Sequence, residues 1–143
     1  MVKAPVGKRV IAYLIDCVII FAVMFVLMIG MFILSFVAGM IDSTIAVLVS
    51  FLTIPVSLLA MLLSFLYWLL RDGLKGGRSL GKKFMKLRVV VNGSSPCGFK
   101  DSALRNITLV IPLLNLIDLI MPFIDAEGLR FGDKIAKTQV VAD

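Results

Sequence analysis

Histidine is missing from this sequence altogether, which removes histidine metal sites, Ser-His-Asp triads and Cys-His pairs together. Cysteine is nearly missing too. Cys17 lies inside a long apolar run and Cys97 in a polar loop, so no disulfide framework is implied. Charge is scarce at 17% of residues, and negative charge is scarcer, with nine acidic residues against fifteen basic ones. No nucleophile–base pair or metal-ligand set can be named in what is left. The chain is therefore not expected to be an enzyme, to hold a metal or to need a cofactor.

What is present is oil. Hydrophobic residues make up 60% of the chain, against about 45–50% in soluble proteins. Two stretches, 10–38 and 45–70, are nearly continuous Val, Ile, Leu, Met, Phe and Ala. Each exceeds the roughly 20 residues that cross a hydrocarbon core of about 30 Å. They are apolar around the whole helix, which separates them from the striped helices of a soluble core. The first follows Lys3, Lys8 and Arg9 as a secretory signal would, but its apolar part is far longer than the 7–15 residues typical of a signal, roughly speaking. It reads as a retained span.

Basic residues flanking spans stay in the cytoplasm. They lie before the first stretch and after the second, from Arg71 through Arg105, whereas the connection between the stretches holds only Asp42. Tyr13, Tyr67 and Trp68 fall at the same interface. The expectation is a multi-pass protein of the cell membrane: a transmembrane helical hairpin with a cytoplasmic N-terminus, a cytoplasmic loop over 71–105 and a tail over 125–143, all one domain over 1–143. Anionic lipid headgroups account for the net charge of +6. Nucleic acid is not expected as a partner, because no base-stacking motif accompanies the basic residues.

A third apolar segment, 107–124, is shorter and carries Pro112, Asn115, Asp118 and Pro122. Two prolines and two polar residues favour a broken or re-entrant segment over a full third span, which would put the C-terminus outside. Before it, Leu80, Phe84 and Leu87 share one helical face opposite Lys82 and Lys86. That pattern suits a small cytoplasmic amphipathic helix whose Lys82, Lys83 and Lys86 meet headgroups, or else a short soluble helix packed on the tail. Arg88-Val89-Val90-Val91 before Asn92-Gly93 reads as a strand entering a turn. Thr138-Gln139-Val140-Val141 is a second strand, able to pair with it only if both lie on one side of the membrane.

Arg9 and Asp16 stand about two helical turns apart, on one face of the first helix. A carboxylate inside a span costs about 2.5–3.5 kcal/mol and needs a partner. Asn115 and Asp118 would share a face of the third segment, and with Asp16 they could ligate a cation, hold a proton or form a hydrogen-bonded seam between helices. Gly76-Gly77-Arg78-Ser79-Leu80-Gly81-Lys82 fits the G-x-x-x-x-G-K phosphate loop, but it follows a span instead of a strand and continues with Lys83 instead of Ser or Thr.

Three pieces together resemble the RDD family of membrane proteins, named for one arginine and two aspartates. They are Lys8-Arg9-Val10-Ile11-Ala12-Tyr13-Leu14-Ile15-Asp16, Gly77-Arg78-Ser79-Leu80-Gly81-Lys82-Lys83 through Leu87-Arg88-Val89-Val90, and Gly132-Asp133-Lys134-Ile135-Ala136-Lys137-Thr138-Gln139-Val140-Val141. The resemblance implies that Arg9 and Asp16 are the first two signature positions and Asp133 the third, with Asp118 and Asp125 as the other candidates. It also marks Arg105 as a recurrent position, and it implies transport of unidentified ligands as one function. Two functional expectations follow. One is transport or exchange of ions or a small ligand through a polar Arg/Asp site, which needs oligomerisation to enclose a path. The other is a non-transporting scaffold that assembles with copies of itself or with other membrane proteins.

Overall fold

The computed structural model describes residues 2–142. Two helices dominate it: α1 (Val6–Ile41) and α2 (Ser43–Leu70). Each outruns the expected span by a few residues at both ends or one, because the flanking polar residues continue the helical hydrogen bonds. Asp42 separates them and caps α2, accepting the Thr44 amide at 2.6 Å and the Ile45 amide at 3.4 Å. Those amides hold its carboxyl below the usual carboxylate range.

The chain forms two compact units. One is the apolar hairpin, Cys17–Leu66, whose large side chains are almost all exposed. Three of its hydroxyls are satisfied within their own helix: Thr53 and Ser57 donate to the carbonyls of Ser50 and Ile54, and Ser64 to that of Ala60. Such bonds let a polar side chain sit in a lipid-facing helix. Both helices are long and apolar enough to cross a membrane.

The other unit comprises residues 1–16 and 67–143. After α2 come a 3₁₀ turn (Arg71–Gly73), α3 (Leu80–Phe84), β1 (Leu87–Val91), β2 (Ser95–Pro96), α4 (Phe99–Val110), α5 (Pro112–Ile124), α6 (Phe131–Ile135) and β3 (Thr138–Ala142). The strands form an antiparallel sheet in the order β2-β1-β3, and Lys3 extends it by bridging Val141. Leu87, Val89 and Val140, on one face of the sheet, make the core with Ala4, Ala12 and Cys97. The small helix expected after the second span is α3, a single turn. Leu87 lies beyond it as a core residue of β1, because the chain takes a positive φ at Lys86 and turns into the strand.

The third apolar segment begins earlier than 107. It is two helices, α4 and α5, meeting at a bend of 108°. Pro112 forces the break: it starts α5 and holds Ile111 extended, at φ −88° and ψ 116°. α4 leaves the sheet after β2, and α5 returns through α6 to β3, which pairs with β1 along its whole length. Both ends of the segment are thus fastened to one sheet, together with the N-terminal residues Lys3 and Ala4.

The chain also repeats itself. Extended residues at Ala4, then α1, α2, α3 and β1 form one half; extended residues at Cys97, then α4, α5, α6 and β3 form the other. The Ala4 amide donates to Val140 O at 3.1 Å and the Cys97 amide to Val89 O at 3.0 Å. Gly81, Lys83, Lys86, Val89 and Val90 in the first half answer to Gly132, Lys134, Lys137, Val140 and Val141 in the second. Lys86 and Lys137 share a positive φ, 52° and 51°. Because Val89 pairs with Val140, the strands β1 and β3 of the two halves meet about a local two-fold axis through that pair.

The two glycines explain why the short helices dock as they do. A Cβ on Gly81 would collide with the Ala12 carbonyl of α1, and one on Gly132 with the Arg105 carbonyl of α4. Gly81→Ala and Gly132→Ala should each lower unfolding free energy by about 1–3 kcal/mol. Gly30→Ala, with nothing within 4 Å of the added carbon, should cost nothing. Thermal unfolding of the three variants in one detergent tests the contrast.

Candidate functional site

An unpaired charge is costly to bury, so each buried ionic group needs a named partner. Asp16 is 1% exposed. Its partner is Arg71 at 3.2 Å, and it also accepts the Gly81 amide at 2.7 Å and the Tyr67 hydroxyl at 3.3 Å. The expected pairing of Arg9 with Asp16 is not formed. Arg9 reaches the other way, donating to the carbonyls of Gly128 at 2.6 Å and Val140 at 3.2 Å. Asp16, two turns further on, meets the side chain arriving from the end of α2 instead. The Arg71 guanidinium also lies over the rings of Trp68, at 4.2 Å, and Tyr13, at 5.2 Å.

Asp72, fully buried, begins the second cluster. Lys82 donates to one of its oxygens. Arg105 Nε lies 3.5 Å from the other, and Asn106 donates to that oxygen at 3.4 Å. Arg105 continues to Asp133 at 2.7 Å, where Thr138 and the Arg130 amide also donate. Ser102 ties α4 to the end of α2, accepting the Asp72 amide and donating to Leu69 O at 2.7 Å. The result is a chain of alternating charge: Asp16 with Arg71, and next along the backbone Asp72 with Lys82 and Arg105, then Asp133.

Asp118 stands apart from this chain. It accepts the Gly132 amide at 2.9 Å and the Thr108 hydroxyl at 3.2 Å, and the side chain of Asn115 takes no part. Asp125 is spent on an exposed pair with Lys134 at 2.6 Å. Of the three aspartates considered beside Arg9 and Asp16, Asp133 is the one that enters the ionic chain. Among the described residues no cluster of three or more Cys, Asp or Glu side chains could hold a metal ion.

Lys82 is not a headgroup contact. It is 5% exposed, because the docking of α3 on α1 swings it inward onto Asp72. Lys83 and Lys86 remain exposed. Arg71 and Asp72 are the site residues that composition concealed: they read as a charged turn ending a span. The available signal was an Arg-Asp pair placed directly after Trp68-Leu69-Leu70, where an ionic pair at the membrane edge needs partners.

The family of membrane proteins known as RDD has a sequence model that matches residues 3–137. The chain belongs to the RDD family. No curated protein and no solved structure gives a significant match. This RDD protein is thus a membrane protein, and Arg9, Asp16 and Asp133, the positions that the resemblance implied for the signature, are all buried, as are Arg71, Asp72, Lys82 and Arg105.

Burial pushes the Lys82 ammonium down to about 7 from its ordinary 10.5, with Asp72 opposing the shift and Arg105 and Arg71 adding to it. The folded RDD chain therefore releases this proton near pH 7, while the unfolded chain keeps it to about pH 10.5. Stability from this group is absent below the lower value, grows between the two and is complete above the upper. Replacing Lys82 by Met should flatten the rise of unfolding midpoint with pH across that window. A slope as steep as the parent's would show that Lys82 does not titrate there.

Proposed function

We propose that this RDD protein is a non-transporting scaffold of the cell membrane, with its N-terminus, sheet and re-entrant segment on the cytoplasmic side. The observation that carries this reading is the saturation of Asp16: a cation, a phenol and a backbone amide already occupy its oxygens. A carboxylate so engaged orients protein groups and has little left for a passing ion. Its partners are other membrane proteins or further copies of itself, and the reading assigns no reaction.

Orientation follows from charge. Lys3, Lys8, Lys75, Lys83, Lys86, Lys100 and Lys137 are exposed around the sheet and the entry of the helices, and the α1–α2 turn offers only Asp42. Single cysteines at Lys3, Ser94 and Glu127, on a background without Cys17 and Cys97, should be shielded from an impermeant maleimide in intact cells. A cysteine at Thr44 should be labelled. Labelling of Glu127 with Lys3 shielded would put the C-terminal tail across the membrane and overturn the re-entrant path.

One observation favours the second reading, transport or exchange in an oligomer. Lys82 is a buried group that gives up its proton near neutrality while touching Asp72, and proton-linked carriers use such groups. Asp16→Asn separates the two readings. As a scaffold residue, its loss leaves Arg71 buried against a neutral amide and should cost about 3–5 kcal/mol, with no flux of protons or cations through vesicles in either protein. Flux in the parent that disappears in a stably folded Asp16→Asn would overturn the scaffold.

A further inference from the structure

Arg71 and Arg105 each have a carboxylate. Arg9 and Arg130 do not. Arg9 is 4% exposed, binds only backbone carbonyls through its terminal nitrogens and leaves Nε without a hydrogen-bond partner. Arg130 contributes its amide to Asp133, while its guanidinium lies 5.8 Å over the Tyr13 ring. Burial lowers the Arg130 pKa; Asp133 and Asp118 oppose that shift, and the neighbouring cations Arg105 and Arg71 add to it.

Both arginines line one narrow slot, and its remaining wall is apolar: Val10 and Tyr13 from α1, with Leu119 and Phe123 from α5. Phe123 is 67% exposed and Leu119 46%. Val6–Tyr13 is the first stretch of a helix long enough to span, so the slot opens where headgroups meet acyl chains. Two guanidiniums above an apolar wall fit an anion that carries hydrocarbon.

We propose that one anionic phospholipid binds over the mouth of this slot, whose interior of about 20 Å³ admits only a water-sized group: its phosphate meets Arg130, the buried Arg9 adds its charge, and its acyl chain lies along Leu119 and Phe123. A zwitterionic lipid brings its own cation and leaves the two arginines uncompensated. An anionic one neutralises them. The neighbouring basic residues Arg105 and Arg71 reinforce the same sign, and Asp133 and Asp118, which also face Arg130, are already engaged by Arg105, Thr138, Gly132 and Thr108.

The test is binding of phosphatidylglycerol to the full chain in phosphatidylcholine nanodiscs, read by native mass spectrometry and by the unfolding midpoint. The parent should retain phosphatidylglycerol over phosphatidylcholine and gain midpoint with it. Arg130→Gln, whose side chain gives up no hydrogen bond, should weaken retention by about tenfold or more. Arg130→Lys should recover part of it, and Lys134→Gln, a change at an exposed pair, should alter nothing. Equal retention of the two lipids, equal loss in Lys134→Gln, or the same midpoint gain from inorganic phosphate alone would each overturn the proposal.

Discussion

A carboxylate at the edge of a bilayer has to find its cation inside the protein, and much of this structure follows from that demand. The aspartates at positions 16, 72 and 133 lie on three segments far apart in the chain, and Arg71, Lys82 and Arg105 bring those segments together. Buried ion pairs contribute little net stability, because desolvation offsets most of the attraction. Their effect is positional. Any shift of α2 against α1, or of α4 against α6, leaves a charge unmatched in a place where water cannot compensate it. The long helices are free to be featureless hydrocarbon because register is set at their ends.

Backbone completes what the charges begin. Gly81 and Gly132 let two single-turn helices approach neighbouring carbonyls closely enough for their amides to reach Asp16 and Asp118. A side chain at either position would hold the amide away from its carboxylate. Each half of the molecule therefore contains the same device: a glycine on a helix backbone and an amide donated to a buried aspartate. The strand that follows each device pairs with the strand that follows the other.

The parts legible in the sequence are those that depend on solvent. Runs of apolar residues announce membrane helices whatever their neighbours do, and the Asn92-Gly93 turn announces a strand end by local geometry alone. The strand at 88–91 is readable for that reason, the one at 138–141 from its run of β-branched residues, and the broken character of the third segment from Pro112. Contacts between distant residues are not. Arg9 and Asp16 share a helix face, which suggests a pair, yet each is claimed by a group more than fifty residues away. Lys82 sits at a position that helical spacing assigns to the surface, and only the docking allowed by Gly81 turns it inward. The repeat is faint in the sequence because its two halves keep in common little more than glycine, lysine and valine.

That repeat gives the third segment its meaning. Where the first half carries helices of 36 and 28 residues, the second carries helices of 12 and 13 in the same order. At about 1.5 Å per residue these are roughly 20 Å long at most, short of a hydrocarbon core of about 30 Å. Neither helix alone is long enough to cross, and the tie to the sheet at both ends is what supports the re-entrant path proposed above. Exposed Leu113, Leu116, Ile120 and Phe123 give it an apolar exterior, while Asp118 faces inward and is satisfied by Thr108 and Gly132. On that proposed path the segment is the shortened counterpart of a membrane hairpin, tied into the sheet and lending walls to the slot beside Arg9 and Arg130.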